Sequence, residues 1–223
     1  MNMQTDHITS RVRVWDLPTR LFHLTLALCV VGLVVTGELG GEAMVLHFWL
    51  GYTVLTLLFF RIVWGVFGGH WSRFVHFVPS VQTLRAYIAG HRLGTPLPSI
   101  GHNPLGALSV LAMLLLLLLQ VFSGFMSDDE ISVAGPWASW VPNAWVSLAT
   151  RYHTEIGKVC LIFLVTLHTL SVLYYKYVRR EDLLTPMVHG DKHLAPGTQA
   201  SRDTVTSRAF ALGVFVGCAY CVY

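Results

Sequence analysis

The sequence predicts an all-α integral membrane protein, built as a four-helix bundle with a short fifth C-terminal transmembrane helix. Its 223 residues are 54% hydrophobic and 12% charged, with a mean hydropathy of +0.57. Apolar residues therefore exceed what the core of a soluble domain of this size can bury. Four apolar stretches also approach or exceed the roughly 20 residues that span the hydrocarbon layer of a bilayer.

Five apolar segments follow one another along the chain. The four spanning helices are expected at residues 17–36, 45–67, 106–125 and 150–177. A fifth segment, residues 209–223, is shorter than a full span at about 1.5 Å of rise per residue, so we expect a helix that ends at or inside the far interface. Residues 11–180 then form the four-helix domain, and residues 181–208 form a polar cytoplasmic tail.

The distribution of charge predicts the orientation in the membrane. Basic side chains lie before the first helix, between the second and third helices, and after the fourth: Arg11, Arg13, Arg20, Arg73, Arg85, Arg92, Lys176, Arg179, Arg180 and Lys192. The other two links carry acidic side chains: Glu38, Glu42, Asp128, Asp129 and Glu130. Because links rich in Lys and Arg stay in the cytoplasm, the N-terminus is predicted to be cytoplasmic.

The long link between the second and third helices carries two local signals. A short amphipathic helix on the membrane surface is predicted by apolar residues at i, i+3, i+6 and i+7: Val81, Leu84, Tyr87 and Ile88. Asn103-Pro104 predicts the start of the third helix, because Asn caps a helix well and Pro needs no N–H at the first helical position.

The four cysteines all lie in apolar segments, where a thiol packs as a small apolar group. Cys218 and Cys221 have a C-x-x-C spacing, but Val222 stands where covalent haem attachment requires a histidine. Any haem would therefore be held non-covalently.

Four histidines lie inside the predicted spans, where an ionisable side chain is costly unless it serves a site. His23 lies near the start of the first helix, His47 at the start of the second, and both His153 and His168 on the fourth. Helices two and four enter from the outer side, so His47 and His153 share the outer level. His168 lies about 22 Å further along helix four, at the inner level of His23. The depths therefore predict two pairs.

Two histidines that face each other across a bundle are the usual axial ligands of a b-type haem. An uninterrupted α-helix places His153 and His168 only about 60° apart around its axis, so one helix can serve both pairs. Each histidine alone also fits a hydrogen-bonded interfacial residue, but four at matched depths favour ligation. We therefore predict two haem b groups, with His23, His47, His153 and His168 as iron ligands, and electron transfer as their use.

Glycines and arginines near these histidines are further candidates. Gly51 and Gly157 follow His47 and His153 by four residues, where a missing side chain would let a flat macrocycle lie against the backbone, although small residues also serve helix packing. Arg20 and Arg61 could bind haem propionates, since guanidinium pairs with carboxylate in two-point geometry, or could mark the interface. His102 is a rival ligand, since it has the same His-x-x-x-Gly spacing, but it precedes the N-cap of the third helix. It is therefore expected at the interface, near a quinone headgroup or a haem propionate.

Several motifs carry a family resemblance: Arg13-Val-Trp-Asp-Leu-Pro-Thr-Arg-Leu-Phe-His23, His47-x-x-x-Gly51, Arg61-Ile-Val-Trp-Gly65, Gly101-His-Asn-Pro-Leu-Gly106, and His153-Thr-Glu-Ile-Gly157 with His168. Together they resemble the prokaryotic cytochrome b561 and nickel-iron hydrogenase b-type cytochrome family, from about Arg11 to Lys192. The resemblance implies a bacterial inner (cytoplasmic) membrane protein with two haems b on the four histidines. It further implies electron exchange between the membrane quinone pool and a redox partner.

Family members serve as membrane subunits of hydrogenases, exchange electrons with soluble c-type cytochromes, or act alone. The short polar links favour a c-type-cytochrome-linked or stand-alone member. Asp128, Asp129 and Glu130 would form an acidic landing patch for a basic cytochrome and would repel superoxide unless Arg151 or Lys158 guides it.

The expected function is quinone-linked electron transfer to or from an outer-face redox partner such as a c-type cytochrome. The alternatives are a superoxide:quinone oxidoreductase, a hydrogenase anchor subunit, or a scaffold whose histidines are structural. A transporter is disfavoured because no paired carboxylates lie mid-span, and no nucleic-acid partner is expected. Arg20, His102 and Lys158 are candidates for the quinone site.

Overall fold

A computed structural model describes residues 9–93, 99–129 and 133–223 of the chain. Five of the described helices are long and apolar enough to cross a membrane. The predicted all-α membrane bundle with a fifth C-terminal helix is therefore confirmed, and the protein is a multi-pass membrane protein. One short two-stranded sheet, which the sequence does not predict, is added to it.

In chain order the elements are β1 (Ser10–Arg13), α1 (Leu17–Leu39), α2 (Ala43–Phe67), α3 (Phe74–Phe77), α4 (Val81–Arg92), α5 (Pro104–Met126), α6 (Asn143–Arg151), α7 (Lys158–Tyr177), α8 (Leu184–His189), β2 (Asp191–Leu194) and α9 (Val205–Val222). A π-helical turn, Tyr152–Gly157, joins α6 to α7. The fourth span therefore runs continuously from Asn143 to Tyr177 and begins seven residues earlier than expected.

Local chemistry explains where the first two helices begin and end. The Asp16 side chain caps α1 by accepting a hydrogen bond from the Thr19 backbone N–H at 2.8 Å. At the far end, Gly40 and Gly41 both have positive φ, 62° and 53°, which residues with a Cβ rarely adopt. These two glycines allow the tight reversal that lays α2 back along α1.

The helix α2 packs mainly against α1 and α9, and it also contacts α5. The helix α5 packs in turn against the fourth span. In the described part of the chain, α7 makes its close backbone contacts with α5 and has few or none with α1 or α2. The interior between α7 and the α1–α2 pair is therefore bridged by side chains.

The amphipathic helix predicted in the long link is confirmed as α4. Its Tyr87 hydroxyl lies 3.1 Å from the Tyr175 hydroxyl near the end of α7. Asn103, the N-cap of α5, donates from Nδ2 to the same Tyr175 oxygen at 2.9 Å. The link is thus fastened to the end of the fourth span.

The segment expected as a polar cytoplasmic tail has a structure of its own. It contains α8 and β2, and β2 pairs antiparallel with β1, with Arg13 opposite Asp191. Arg13 forms ion pairs with Asp191 at 2.5 Å and with Asp203 at 2.6 Å. The Ser201 hydroxyl donates to the Val14 carbonyl at 2.6 Å. We call the end of the bundle that carries this sheet the N-terminal side.

Candidate functional site

The structure brings the four intramembrane histidines together in the two pairs that their depths predict. The ring centres of His47 and His153 are 6.2 Å apart, and those of His23 and His168 are 6.3 Å apart. The first pair joins α2 to the π-helical turn, and the second joins α1 to α7. Each pair spans the interior that separates the fourth span from α1 and α2.

The spacing of the rings fits a metal between them. An imidazole nitrogen lies about 2.0 Å from a bound first-row metal and about 1.1 Å from its own ring centre, so two axial ligands have ring centres about 6 Å apart. Both histidine pairs have this separation. The described residues contain no group of three or more His, Cys, Asp or Glu side chains that could hold a metal ion.

Neighbouring groups orient the His47 ring. Its Nδ1 lies 3.1 Å from the Leu33 carbonyl oxygen and 3.1 Å from the Thr36 hydroxyl, both on α1. A carbonyl oxygen only accepts, so Nδ1 carries the proton and donates it to Leu33. Nε2 is then unprotonated and can act as a ligand toward the interior.

The His153 ring is held in the same way by α5. Its Nδ1 donates to the Gln120 carbonyl oxygen at 2.8 Å, and the Ser123 hydroxyl lies 3.5 Å away. Both ligand candidates of this pair therefore have Nε2 free. Nothing in the sequence pattern around Gln120 predicts this contact.

Two glycines make room for these rings. Gly37 lies four residues after Leu33, and an added Cβ there would lie 3.3 Å from Cε1 of His47. Gly124 lies four residues after Gln120, and an added Cβ there would lie 2.6 Å from Cε1 of His153. On both helices the carbonyl that accepts from Nδ1 is thus followed one turn later by a glycine, which lets the ring approach the backbone.

A predominantly apolar cavity lies between the His47 and His153 rings, bounded by α1, α2, α5 and the fourth span. Gly51 lines it, and an added Cβ at Gly51 would meet nothing within 4 Å. Space for a flat ligand therefore exists beside this backbone. The cavity is also lined by Leu33, Gln120 and Leu161.

Gly157 behaves differently from Gly51, which corrects the expectation that a macrocycle lies against both. The missing side chain of Gly157 makes room for Gln120, because an added Cβ would collide with the Gln120 Oε1 atom. Gly157 does not line the cavity. The alternative reading of a packing glycine describes this position. The π-helical turn also removes the premise of an uninterrupted helix between His153 and His168.

The second pair has different surroundings. His23 Nδ1 is buried, and no described residue forms a hydrogen bond with it. His102, expected at the interface, instead packs its ring against Trp15 at 4.8 Å and Phe77 at 5.0 Å. Burial, and then the charge of Arg61 and of the histidine pair, lower the pKa of His102 to about 3. His102 is therefore neutral at physiological pH.

The two candidate arginines, Arg61 and Arg20, differ in burial and in the hydrogen bonds that they make. Arg61 is 4% exposed, its guanidinium lies 4.7 Å from the Phe74 ring centre, and its Nη1 has no hydrogen-bond partner. Gly65 leaves the space that the Phe74 ring occupies. Arg20 donates from Nη1 to the Val188 carbonyl at 2.5 Å, although its Nε is also buried without a hydrogen-bond partner among the described residues. Arg61 is the more deeply buried of the two, and an unpaired buried charge is costly, so Arg61 is the better candidate for an anionic group.

At the opposite side of the bundle, Lys158 lines the cavity and pairs with Glu38 at 2.8 Å. Arg151 pairs with Glu155 at 3.4 Å, and both side chains are largely exposed. Asp129 accepts from the Val133 backbone N–H at 2.8 Å. Glu130, the third member of the expected acidic patch, lies outside the described residues.

Comparisons with known proteins agree with the motifs. The family model described as prokaryotic cytochrome b561 matches residues 14–190. A probable Ni/Fe-hydrogenase B-type cytochrome subunit from Azotobacter chroococcum mcd 1 is 28% identical over 211 residues, covering 80% of this chain and 87% of that protein. A protein with the same description from Bradyrhizobium diazoefficiens is 24% identical over 214 residues, covering 81% and 85%. The probable Ni/Fe-hydrogenase 1 B-type cytochrome subunit of Escherichia coli K12 is 27% identical over 158 residues, covering 59% and 66%.

Proposed function

Because the chain belongs to the prokaryotic cytochrome b561 family, we propose that it carries electrons across the membrane through two haems b. One end of this path exchanges electrons with the quinone pool and the other with a redox partner at the outer face. The observation that carries the proposal is the presence of two histidine pairs in one bundle, with ring centres 6.2 and 6.3 Å apart.

In this proposal His47 and His153 hold one haem, and His23 and His168 hold the other. A haem b with two imidazole ligands supplies a one-electron centre without an open coordination position. The protein orients the ligands: Nδ1 of both His47 and His153 is tied to a helix carbonyl, which leaves Nε2 for iron. Gly51 leaves the cavity open for the macrocycle.

Arg61 is proposed to bind a propionate of the haem between His23 and His168. Its Nη1 is buried without a partner, and a carboxylate would satisfy the guanidinium in two-point geometry. Arg20 remains a second candidate at the rim, although its Nη1 is already bonded to a backbone carbonyl. His102, neutral and buried with a free Nδ1, is proposed to contact the same propionate or a quinone headgroup.

The N-terminal side is proposed to face the cytoplasm of a bacterium, with the chain in the inner membrane. The basic residues at this side support the orientation, because positively charged segments are retained in the cytoplasm. The His47–His153 pair then lies toward the outer face, near Lys158 and Glu38.

The outer partner has two candidates. The short polar links favour a c-type cytochrome, whereas the relatives reported above are all described as hydrogenase cytochrome subunits. Co-purification from membranes of the source organism separates them: hydrogen-uptake activity that remains with the chain supports a hydrogenase. Rapid oxidation of the reduced chain by cytochrome c, without such activity, supports the cytochrome.

The haem assignment is tested by reduced-minus-oxidised spectra and pyridine haemochrome assays on the purified chain. We expect about two haems b per chain, and one fewer in each of the variants His47→Ala and His168→Ala. The exposed His189 on α8 supplies the control, since His189→Ala should keep both haems. A wild-type chain without haem, or full haem content in both variants, would leave a scaffold as the better account.

A further inference from the structure

The fourth span contains a π-helical turn at His153, one of the two histidines of the His47–His153 site. Residues Tyr152–Gly157 are π-helical, and they include His153. Such turns are rare and are frequently found at functional sites. The wide turn alters the hydrogen bonding of the helix carbonyls around His153, so these groups need partners from outside the helix.

Gln120 on α5 supplies that partner and receives a bond in return. The side-chain Nε2 of Gln120 donates to the backbone carbonyl of His153 at 2.8 Å. The backbone carbonyl of Gln120 accepts from Nδ1 of the His153 ring, also at 2.8 Å. One residue thus holds both the backbone and the ring of His153. These bonds join positions 33 residues apart in the sequence.

Gly157 completes the arrangement. It is the last residue of the π-helical turn, and its missing side chain leaves the space in which the Gln120 amide lies. The His-x-x-x-Gly spacing therefore serves His153 indirectly, by admitting Gln120. At His47 the equivalent glycine, Gly51, opens onto the cavity instead.

We propose that Gln120 is the positioning residue of the His47–His153 site, and that its two bonds to His153 lower the reduction potential of the haem held there. This inference rests on the proposed function. A hydrogen bond from Nδ1 to a carbonyl makes the imidazole a more basic ligand, and a more basic ligand favours ferric iron. The other site differs, because no described residue accepts a hydrogen bond from His23 Nδ1 and the buried Arg61 cation favours the reduced state.

The relative reduction potentials of the two haems follow from this difference between the sites. The His47–His153 haem is expected to have the lower potential, so electrons entering at that side pass to the His23–His168 haem. With both groups bound, this difference would favour the passage of one electron from the His47–His153 site to the His23–His168 site, with no bond made or broken. Quinone reduction at the N-terminal side would then be the favoured direction.

The test is Gln120→Met, which keeps the length of the side chain and the backbone carbonyl but removes the Nε2 donor. Without that donor the backbone of His153 is no longer held against α5, so the Nδ1 bond to the Gln120 backbone carbonyl should weaken. Redox titration and electron paramagnetic resonance of the ferric protein are recorded for both haems, and His47→Ala identifies the component that belongs to this site. We expect that component to move to a higher potential, with an altered largest g value and roughly 10-fold weaker haem retention. The second component should stay unchanged.

Two further variants make the result decisive. Gly157→Ala keeps Gln120 but displaces its amide, so it should shift the same component in the same direction. Gln82→Met, on an exposed face of α4, is the matched control and should change neither component. An unchanged first component in Gln120→Met, or loss of both haems together, overturns the inference. A wild-type chain that lacks two haems overturns the proposed function instead.

Discussion

Asp16 is the buried residue that organises the N-terminal side of the bundle. It is 0% exposed, and its two oxygens accept four hydrogen bonds. The donors are the backbone N–H groups of Thr19 and Gly69, the Trp64 indole and the Ser72 hydroxyl. A carboxylate is costly to bury unless its oxygens are satisfied. Asp16 of the opening motif is therefore a structural centre that joins α1 to the end of α2.

Replacing Asp16 by Asn tests this role. The amide nitrogen of Asn would face donors at Gly69 and Ser72, so we expect a loss of about 2–4 kcal/mol in the free energy of unfolding. Thermal unfolding in detergent measures the change. Asp182→Asn is the control, because Asp182 is exposed and accepts bonds from the nearby Leu184 and Thr185 N–H groups. Equal stability of the two variants would contradict the prediction.

Gly124 and Gly37 each face a histidine ring, but the ring lies closer to the backbone at Gly124 than at Gly37. An added Cβ would lie 2.6 Å from the His153 ring at Gly124, but 3.3 Å from the His47 ring at Gly37. The first contact cannot be relieved without moving the ring off the Gln120 carbonyl, whereas the second needs only a small adjustment.

We therefore expect Gly124→Ala to weaken haem binding at the His47–His153 site by roughly 10-fold, and Gly37→Ala to have a smaller effect. Haem content after dilution or competition with a haem acceptor measures both. Gly213→Ala on α9 is the control, since an added Cβ there would meet nothing within 4 Å. A larger loss for Gly37→Ala than for Gly124→Ala would speak against the geometry.

At the scale of elements, α9 is a spanning helix that stands apart from the histidine pairs. It packs on the face of α2 that carries Phe60 and Trp64, and Phe215 lies edge-on to Phe60 at 6.2 Å between ring centres. Tyr223, at its end, stacks on Trp49 at 5.7 Å. α9 therefore supports α2 from outside the four-helix core.

Ending the chain after Thr204 tests this division of roles. Lipid replaces α9 around α2, while the Asp203–Arg208 ion pair is lost with the helix, so we expect about 1–3 kcal/mol of destabilisation from packing and this pair together. Both haems should remain bound at unchanged ratio, as measured by the pyridine haemochrome assay. Loss of one haem at a temperature where the shortened chain is still folded would show that α9 takes part in a site.

At the scale of the whole molecule, the two ends of the chain are joined at the N-terminal side. β1 and β2 form the sheet, and Asp203 links Arg13 at 2.6 Å to Arg208 at 2.8 Å. Burial alone would raise the pKa of Asp203, but hydrogen bonding to Arg208 and the charges of both arginines outweigh it and lower that pKa. The charged form is therefore favoured in the folded state.

The sign of this shift predicts a pH dependence. Stability from Asp203 is present above the ordinary carboxyl pKa of about 4 and is lost as the pH falls through its lowered value. Hydrogen exchange should show lower protection of the β2 amides at acid pH, and Asp203→Asn should show the same loss at neutral pH. Asp182→Asn, on the same side, should keep this protection. Full protection of β2 in Asp203→Asn would exclude the link.

The sequence by itself determined the membrane fold, the number of spans and the pairing of the four histidines. These depend on local properties of the chain: the length of apolar runs, the side on which Lys and Arg gather, and the depth of each histidine along its helix. The start of α5 at Asn103-Pro104 and the amphipathic α4 are local in the same sense, and both were predictable.

Only the tertiary structure decided what holds those histidines and what closes the N-terminal side. The Gln120–His153 bonds join residues 33 positions apart, and the Asp16–Ser72 bond joins residues 56 positions apart. Such contacts depend on how helices approach one another, which periodicity along one helix does not encode. The π-helical turn and the role of Gly157 belong to this packing, because Gln120 on the neighbouring helix bonds to the backbone of the turn at His153 and lies against Gly157.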